Sequence, residues 1–176
     1  MMKKSFPITG LCVAIFGMAL LSSASTAQSI RNHNSSAPVD FSAGSLELQD
    51  RADRVVLSGG VTATQAGLTL QASRVTAAYS SNGGVDVNRL DATGGVTVTK
   101  DDLHATSSSA VYDLDASLIT LLGNVRLVQG KNRLNGGRVV IDLNSGRSTV
   151  NGGGAPGASQ SGGRVTGTFT VPQRKN

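Results

Sequence analysis

The chain has 176 residues, a formal net charge of +5 and a single cysteine, Cys12. Residues 28–176 contain neither Cys nor Met, and they carry 14 Lys+Arg against 11 Asp+Glu. That stretch therefore has no disulfide, thiol nucleophile or Cys-based metal site, and its scattered charge is not the clustered basic footprint of a nucleic-acid binder.

Residues 1–27 read as a signal peptide. Lys3 and Lys4 precede an uncharged, largely apolar run, Phe6–Leu21, and Ser25-Thr26-Ala27 supplies small residues before a cleavage point after Ala27. The run is shorter than the roughly 20 residues a membrane span needs. Residues 28–40 are polar, include Pro38 and read as a flexible leader.

From Phe41 the pattern changes to alternation. Leu46 and Leu48 are two apart, as are Val55 and Leu57, Val61 and Ala63, Leu68 and Leu70, and Val75, Ala77 and Tyr79, with polar residues between them. Period two with one wet face is the antiparallel-strand signature. Glycine is abundant, Glu47 is the one glutamate, and Val, Thr and Ser dominate, which disfavours helix and favours strands and turns. The expected fold is all-β, built from short strands of four to six residues with turns at segments such as Ser58–Gly60.

The chain also repeats. At an offset of 64, Gly59 falls on Gly123, Val61 on Val125, Gln65 on Gln129, Leu70 on Leu134, Arg74 on Arg138 and Val75 on Val139. Apolar parity is shared as well, with Val55 on Ile119, Leu57 on Leu121, Ala63 on Leu127, Ala77 on Ile141 and Leu48 on Tyr112. A slip of one residue would turn each of these to the other face, so shared parity means a shared strand plan. Gly94-Gly95-Val96-Thr97-Val98 echoes Gly59-Gly60-Val61-Thr62-Ala63 at an offset of 35. Residues 41–150 thus form one repeated β domain. Residues 151–176 read as a Gly/Ser-rich linker and basic tail, with a last strand within Arg164–Val171.

Residues suited to catalysis are sparse. Asp101, Asp102 and His104, with Ser107–Ser109 nearby, fit a hairpin turn followed by a polar-face histidine better than a triad or metal site. Glu47 has no carboxylate partner of the kind a glycosidase needs, and the Gly-Gly pairs lack a Walker or GxGxxG context. No enzyme, metal or cofactor is implied. The apolar face is either a self-filled core or a groove between sheets for an apolar chain, where each buried CH₂ contributes about 0.8 kcal/mol.

The ordered segments Ser42–Leu48, Val55–Gln65, Leu68–Val75, Leu118–Val125 and Gly163–Gly167 together resemble the LptA/OstA-like family of periplasmic lipopolysaccharide-transport proteins. The resemblance implies a twisted antiparallel β-jelly roll in the periplasm that holds the lipid A moiety of lipopolysaccharide. It also implies head-to-tail docking with an inner-membrane LptC-like and an outer-membrane LptD-like protein of the same fold, and with further copies of itself. The lipid-groove or core face would comprise Leu46, Leu48, Val55, Leu57, Val61, Leu70, Val75, Tyr79, Val96, Val98, Ile119, Leu121, Val125, Leu127, Leu134, Val139 and Ile141. Arg74 and Arg138 would either face lipid phosphates at the groove rim or be solvated strand-end charges. Edge pairing would fall to the strand after Phe41 and to strands near Val139–Leu143 or Arg164–Val171. A secreted repeat adhesin or polysaccharide-binding module is the alternative. That reading expects exposed aromatic platforms, and residues 28–176 hold only Phe41, Tyr79, Tyr112 and Phe169.

Overall fold

The computed structural model describes residues 33–80, 86–153 and 163–170. The predicted signal peptide, the start of the leader, most of the linker and the end of the tail lie outside the described residues. So does the connection at 81–85.

Among the described residues, ten strands form one antiparallel sheet: β1 (Asp40–Ser42), β2 (Ser45–Gln49), β3 (Arg54–Gln65), β4 (Leu68–Ser80), β5 (Asp86–Lys100), β6 (Leu103–Asp113), β7 (Leu118–Gln129), β8 (Asn132–Asp142), β9 (Ser148–Asn151) and β10 (Thr166–Thr168). From β3 to β8 each strand pairs with the next in the chain. At the edges, β1 and β2 pair with different halves of β3, and β9 and β10 with different halves of β8. Each edge position is therefore a single strand broken in two.

The strands are longer than the sequence reading expects. β3 to β8 run from 11 to 15 residues, because the Gly-Gly pairs do not end strands. They bend them. Register breaks fall at Ser58/Val61, Gln71/Arg74, Thr93/Val96, Thr106/Ser109 and Leu122/Val125, a mid-strand break on every strand pair from β3 to β8, and β4–β5 has a second near its end at Ala78/Tyr79. Aligned bulges of this kind sharpen local bending. They crease the sheet along one line and fold it into two layers, which gives the jelly roll.

The first layer contains β2, β9 and the halves of β3–β8 that run with them. The second contains β1, β10 and the other halves. Inward residues of both layers meet in a single apolar cluster that includes Leu57, Val75, Leu90 and Ile141 from the first and Val61, Leu70, Val98 and Leu127 from the second. Along β3, β5 and β7 inward parity survives the crease, as in Leu90, Ala92, Val96 and Val98. Along β4 and β6 it switches there, as in Leu68, Leu70 and Ala72 followed by Val75 and Ala77.

The crease needs glycine for a definite reason. Gly94 has φ +83, and a Cβ there would meet Ser73 Cβ at 2.6 Å. Only a residue with no side chain tolerates both conditions. The repeat is now explained physically: its unit is one creased hairpin, β3–β4, then β5–β6, then β7–β8. Tight turns at Ala66–Gly67, Asp101–Asp102 and Gly130–Lys131 close these hairpins on the rim of the second layer.

Candidate functional site

The predicted groove face is an inward face throughout its middle. Leu57, Val61, Leu70, Val75, Val96, Val98, Ile119, Leu121, Val125, Leu127, Val139 and Ile141 are all buried, with Ile119, Leu121, Val98 and Ile141 at 0% exposure. Leu68, Leu90, Leu103 and Tyr112 join them and complete the seal. Val55 and Leu134 are half-buried against this cluster. Tyr79 is half-buried as well, and its hydroxyl reaches Asp50 Oδ1 at 3.4 Å, so the ring leaves the interior at the rim.

Leu46 and Leu48 behave differently. They lie opposite Leu57 and Val55 in the β2–β3 ladder, and directly opposed residues share a face. Their side chains therefore point inward, yet they are 52% and 57% exposed. Phe41, opposite buried Ala63, is in the same position at 55%. At the other end, Gly167 lies opposite Leu134, so alternation places Val165 and Phe169 on the inward face too, at 41% and 67% exposure. The apolar interior runs out to both edges of the roll, and no described residue covers it there.

Arg74 and Arg138 do not line a groove. Each precedes a buried inward valine, Val75 or Val139, and strand alternation turns each arginine to the outer surface beside the crease. His104 is likewise exposed on the outer face, and Asp101–Asp102 form the expected turn, with Asp101 at φ +52. A shallow open depression of about 310 Å³ lies on the outer surface at the crease, walled by Thr62, Gln71, Ser73 and Thr97.

A polar cluster that the sequence reading misses sits between the two layers. Residues 33–39, read as flexible leader, pack at the free rims opposite the crease, with His33 only 6% exposed. Gln65 on the second layer donates from Nε2 to the carbonyl oxygens of Ser35 (2.8 Å) and Ala37 (2.7 Å). Its Oε1 accepts from the hydroxyl of Tyr112 on the first layer at 2.6 Å. His33 Nε2 lies 3.2 Å from both that Oε1 and the Tyr112 hydroxyl. With the Gln65 amide oriented by its two donors, Nε2 must carry the histidine proton. Nδ1 is then a buried lone pair without a partner among the described residues. Burial lowers the His33 pKa, against a smaller rise from the Gln65 hydrogen bond, and the Lys100 charge lowers it further. Burial raises that of Tyr112, with a smaller opposing effect from Ser35. The only sequence signal was parity: Gln65 is an inward position filled by a polar residue.

Residues 41–147 match the family model described as LptA/(LptD N-terminal domain) LPS transport protein. The chain belongs to that family. Its structure is similar to the crystal structure of LptH, the LptA-homologous periplasmic component of the lipopolysaccharide transport device of Pseudomonas aeruginosa. The TM-score is 0.70 at 17% identity, covering 79% of this chain and 99% of that one. An uncharacterized protein of Rhizobium meliloti (strain 1021) is 27% identical over 153 residues, which is 80% of this chain and 82% of its relative. The twisted antiparallel jelly roll expected of an LPS-transport family member is thus the fold observed, and it extends beyond the matched segment to β9 and β10.

Proposed function

We propose that this member of the LPS-transport family is a periplasmic, non-catalytic carrier. It takes the acyl chains of lipopolysaccharide between its two layers and passes them along a continuous apolar interior to proteins of the same fold. The observation that carries this reading is the pair of ends left uncovered by the described residues. Phe41, Leu46 and Leu48 at one edge, and Val165 and Phe169 at the other, are inward-facing apolar residues with nothing over them among the described residues.

An edge strand with free backbone groups is ordinarily an aggregation hazard. Two such edges at opposite ends of one roll suit strand addition instead. Joining the last edge of one molecule to the first edge of the next is a head-to-tail contact, and it propagates as an open filament rather than a closed ring. LptC-like and LptD-like proteins would cap that filament at the inner and outer membranes. The sealed middle fits this role, since aliphatic side chains can exchange contacts among themselves for contacts with acyl chains of the same polarity.

Binding of the secreted chain to lipopolysaccharide, with the delipidated saccharide as competitor, tests the reading. Saturable binding that the saccharide leaves intact is expected. Competition by the saccharide alone would point to a polysaccharide-binding module, and no binding by folded protein would remove the carrier role.

A further inference from the structure

The middle of the roll is sealed, so a lipid that enters from the side must pass between the free rims. We propose that residues 33–39 are a strap that latches those rims together through His33, Gln65 and Tyr112, and that the strap must leave before lipid enters. This inference rests on the carrier reading and adds its control.

The geometry makes the segment a latch rather than a passive cover. Gln65 belongs to the second layer and Tyr112 to the first, and their 2.6 Å hydrogen bond is a direct polar link across the apolar interior. The strap completes the link from a third piece of chain. His33 bridges both partners, while Gln65 holds the carbonyls of Ser35 and Ala37. Val39 then packs on the apolar cluster, and β1 begins at Asp40. Within residues 33–39 the turn is held by short-range bonds alone, Ser35 N–H to His33 O at 3.2 Å and Ala37 N–H to Asn34 O at 3.1 Å. Most of its attachment to the body is therefore the Gln65–Tyr112 pair and Val39. Few contacts and local hydrogen bonds place a segment at the low end of a protein's opening free energies. His33 Nδ1 has no partner among the described residues, which weakens the latch further.

The test uses the secreted chain, which has no native thiol, with Ala105→Cys as a reporter. Ala105 is inward on β6 and 0% exposed. Its reaction with a thiol reagent reads opening of the interior without any lipid, and lipopolysaccharide uptake is followed in parallel by stopped flow. His33→Ala removes one arm of the latch, and Tyr112→Phe removes the hydroxyl while keeping the ring that fills the core. Circular dichroism and hydrogen exchange of the central strands verify the fold of each variant. Both variants are expected to label, and to take up lipopolysaccharide, about tenfold faster, the scale of one net hydrogen bond. Labelling that stays at the wild-type rate in both would overturn the strap whatever the lipid does. Faster labelling with unchanged lipopolysaccharide uptake would overturn its role at lipid entry. Faster labelling with no lipopolysaccharide binding by any form, wild type included, would remove the carrier reading and, with it, the strap as a lipid gate.

Discussion

The middle of the roll and its edges are made of the same residue types in the same alternation, yet they differ in what covers them. In β7, Ile119 and Leu121 have a ladder partner on either side and the opposite layer above, and both are 0% exposed. In β2, Leu46 and Leu48 have β3 on one side and, among the described residues, no strand on the other, and more than half of each is exposed. Burial here is set by position in the strand order and not by hydrophobicity. The middle must hold the fold together, whereas the edges are free to serve an interface.

The largest test of that contrast is a charge placed in each region. Leu121→Asp buries an unpaired carboxylate and is expected to cost at least about 4 kcal/mol, enough to unfold a marginal domain. Leu48→Asp should cost about 0.5 kcal/mol or less in denaturant unfolding, while abolishing concentration-dependent assembly in sedimentation velocity. Equal destabilisation by the two would break the comparison.

The crease offers a finer version. Gly94 and Gly95 share φ +83, but a Cβ at Gly95 meets nothing within 4 Å, whereas one at Gly94 strikes Ser73. Gly95→Ala should cost about 1 kcal/mol for the left-handed backbone. Gly94→Ala should cost about 2–3 kcal/mol, because strain and overlap combine. Urea midpoints of the two variants measure the difference.

Acid should loosen the strap before the rest. Because the His33 pKa is lowered in the fold, the neutral form is favoured there, so this contribution to stability is complete above the ordinary value of 6.5. It is lost as pH falls below that value. Protonation would put an N–H on Nδ1, which has no partner among the described residues, and a second positive charge near Lys100, with Gln65, Ser35 and neutral Tyr112 offering no countercharge. The hydrogen-exchange protection factors of residues 33–39, corrected for the intrinsic pH dependence of exchange, should fall between pH 7 and 5 in the wild type, and that fall should vanish in His33→Ala. The smallest effect is expected at Arg74→Ala, within about 0.5 kcal/mol and with lipid affinity unchanged, since this exposed side chain lies on the outer face.

Much of the fold was legible because alternation is a local property. The run Val55, Leu57, Val61, Ala63 reports its face without knowledge of its neighbours. The crease was not legible in the same way. A two-residue turn and a bulge make the same demand for positive φ, and only Ser73 against Gly94, 21 positions apart, shows which one the chain makes. The exposure of Leu46 and Leu48 was hidden for a related reason, since period two reveals direction but not whether a strand follows. The strap was the least legible element. His33 lies in a polar stretch without periodicity, and its burial depends on Gln65 and Tyr112 being brought together across 47 positions.

Neighbouring residues at an open edge give the most direct test of whether the inward face carries lipid. Glu47 and Leu48 are both exposed and lie on opposite faces of β2, so a photo-crosslinking residue at either leaves the core intact. With lipopolysaccharide present, the account predicts a lipid adduct from position 48 and none from position 47. Equal adducts from both, or an adduct from position 47 alone, would contradict it.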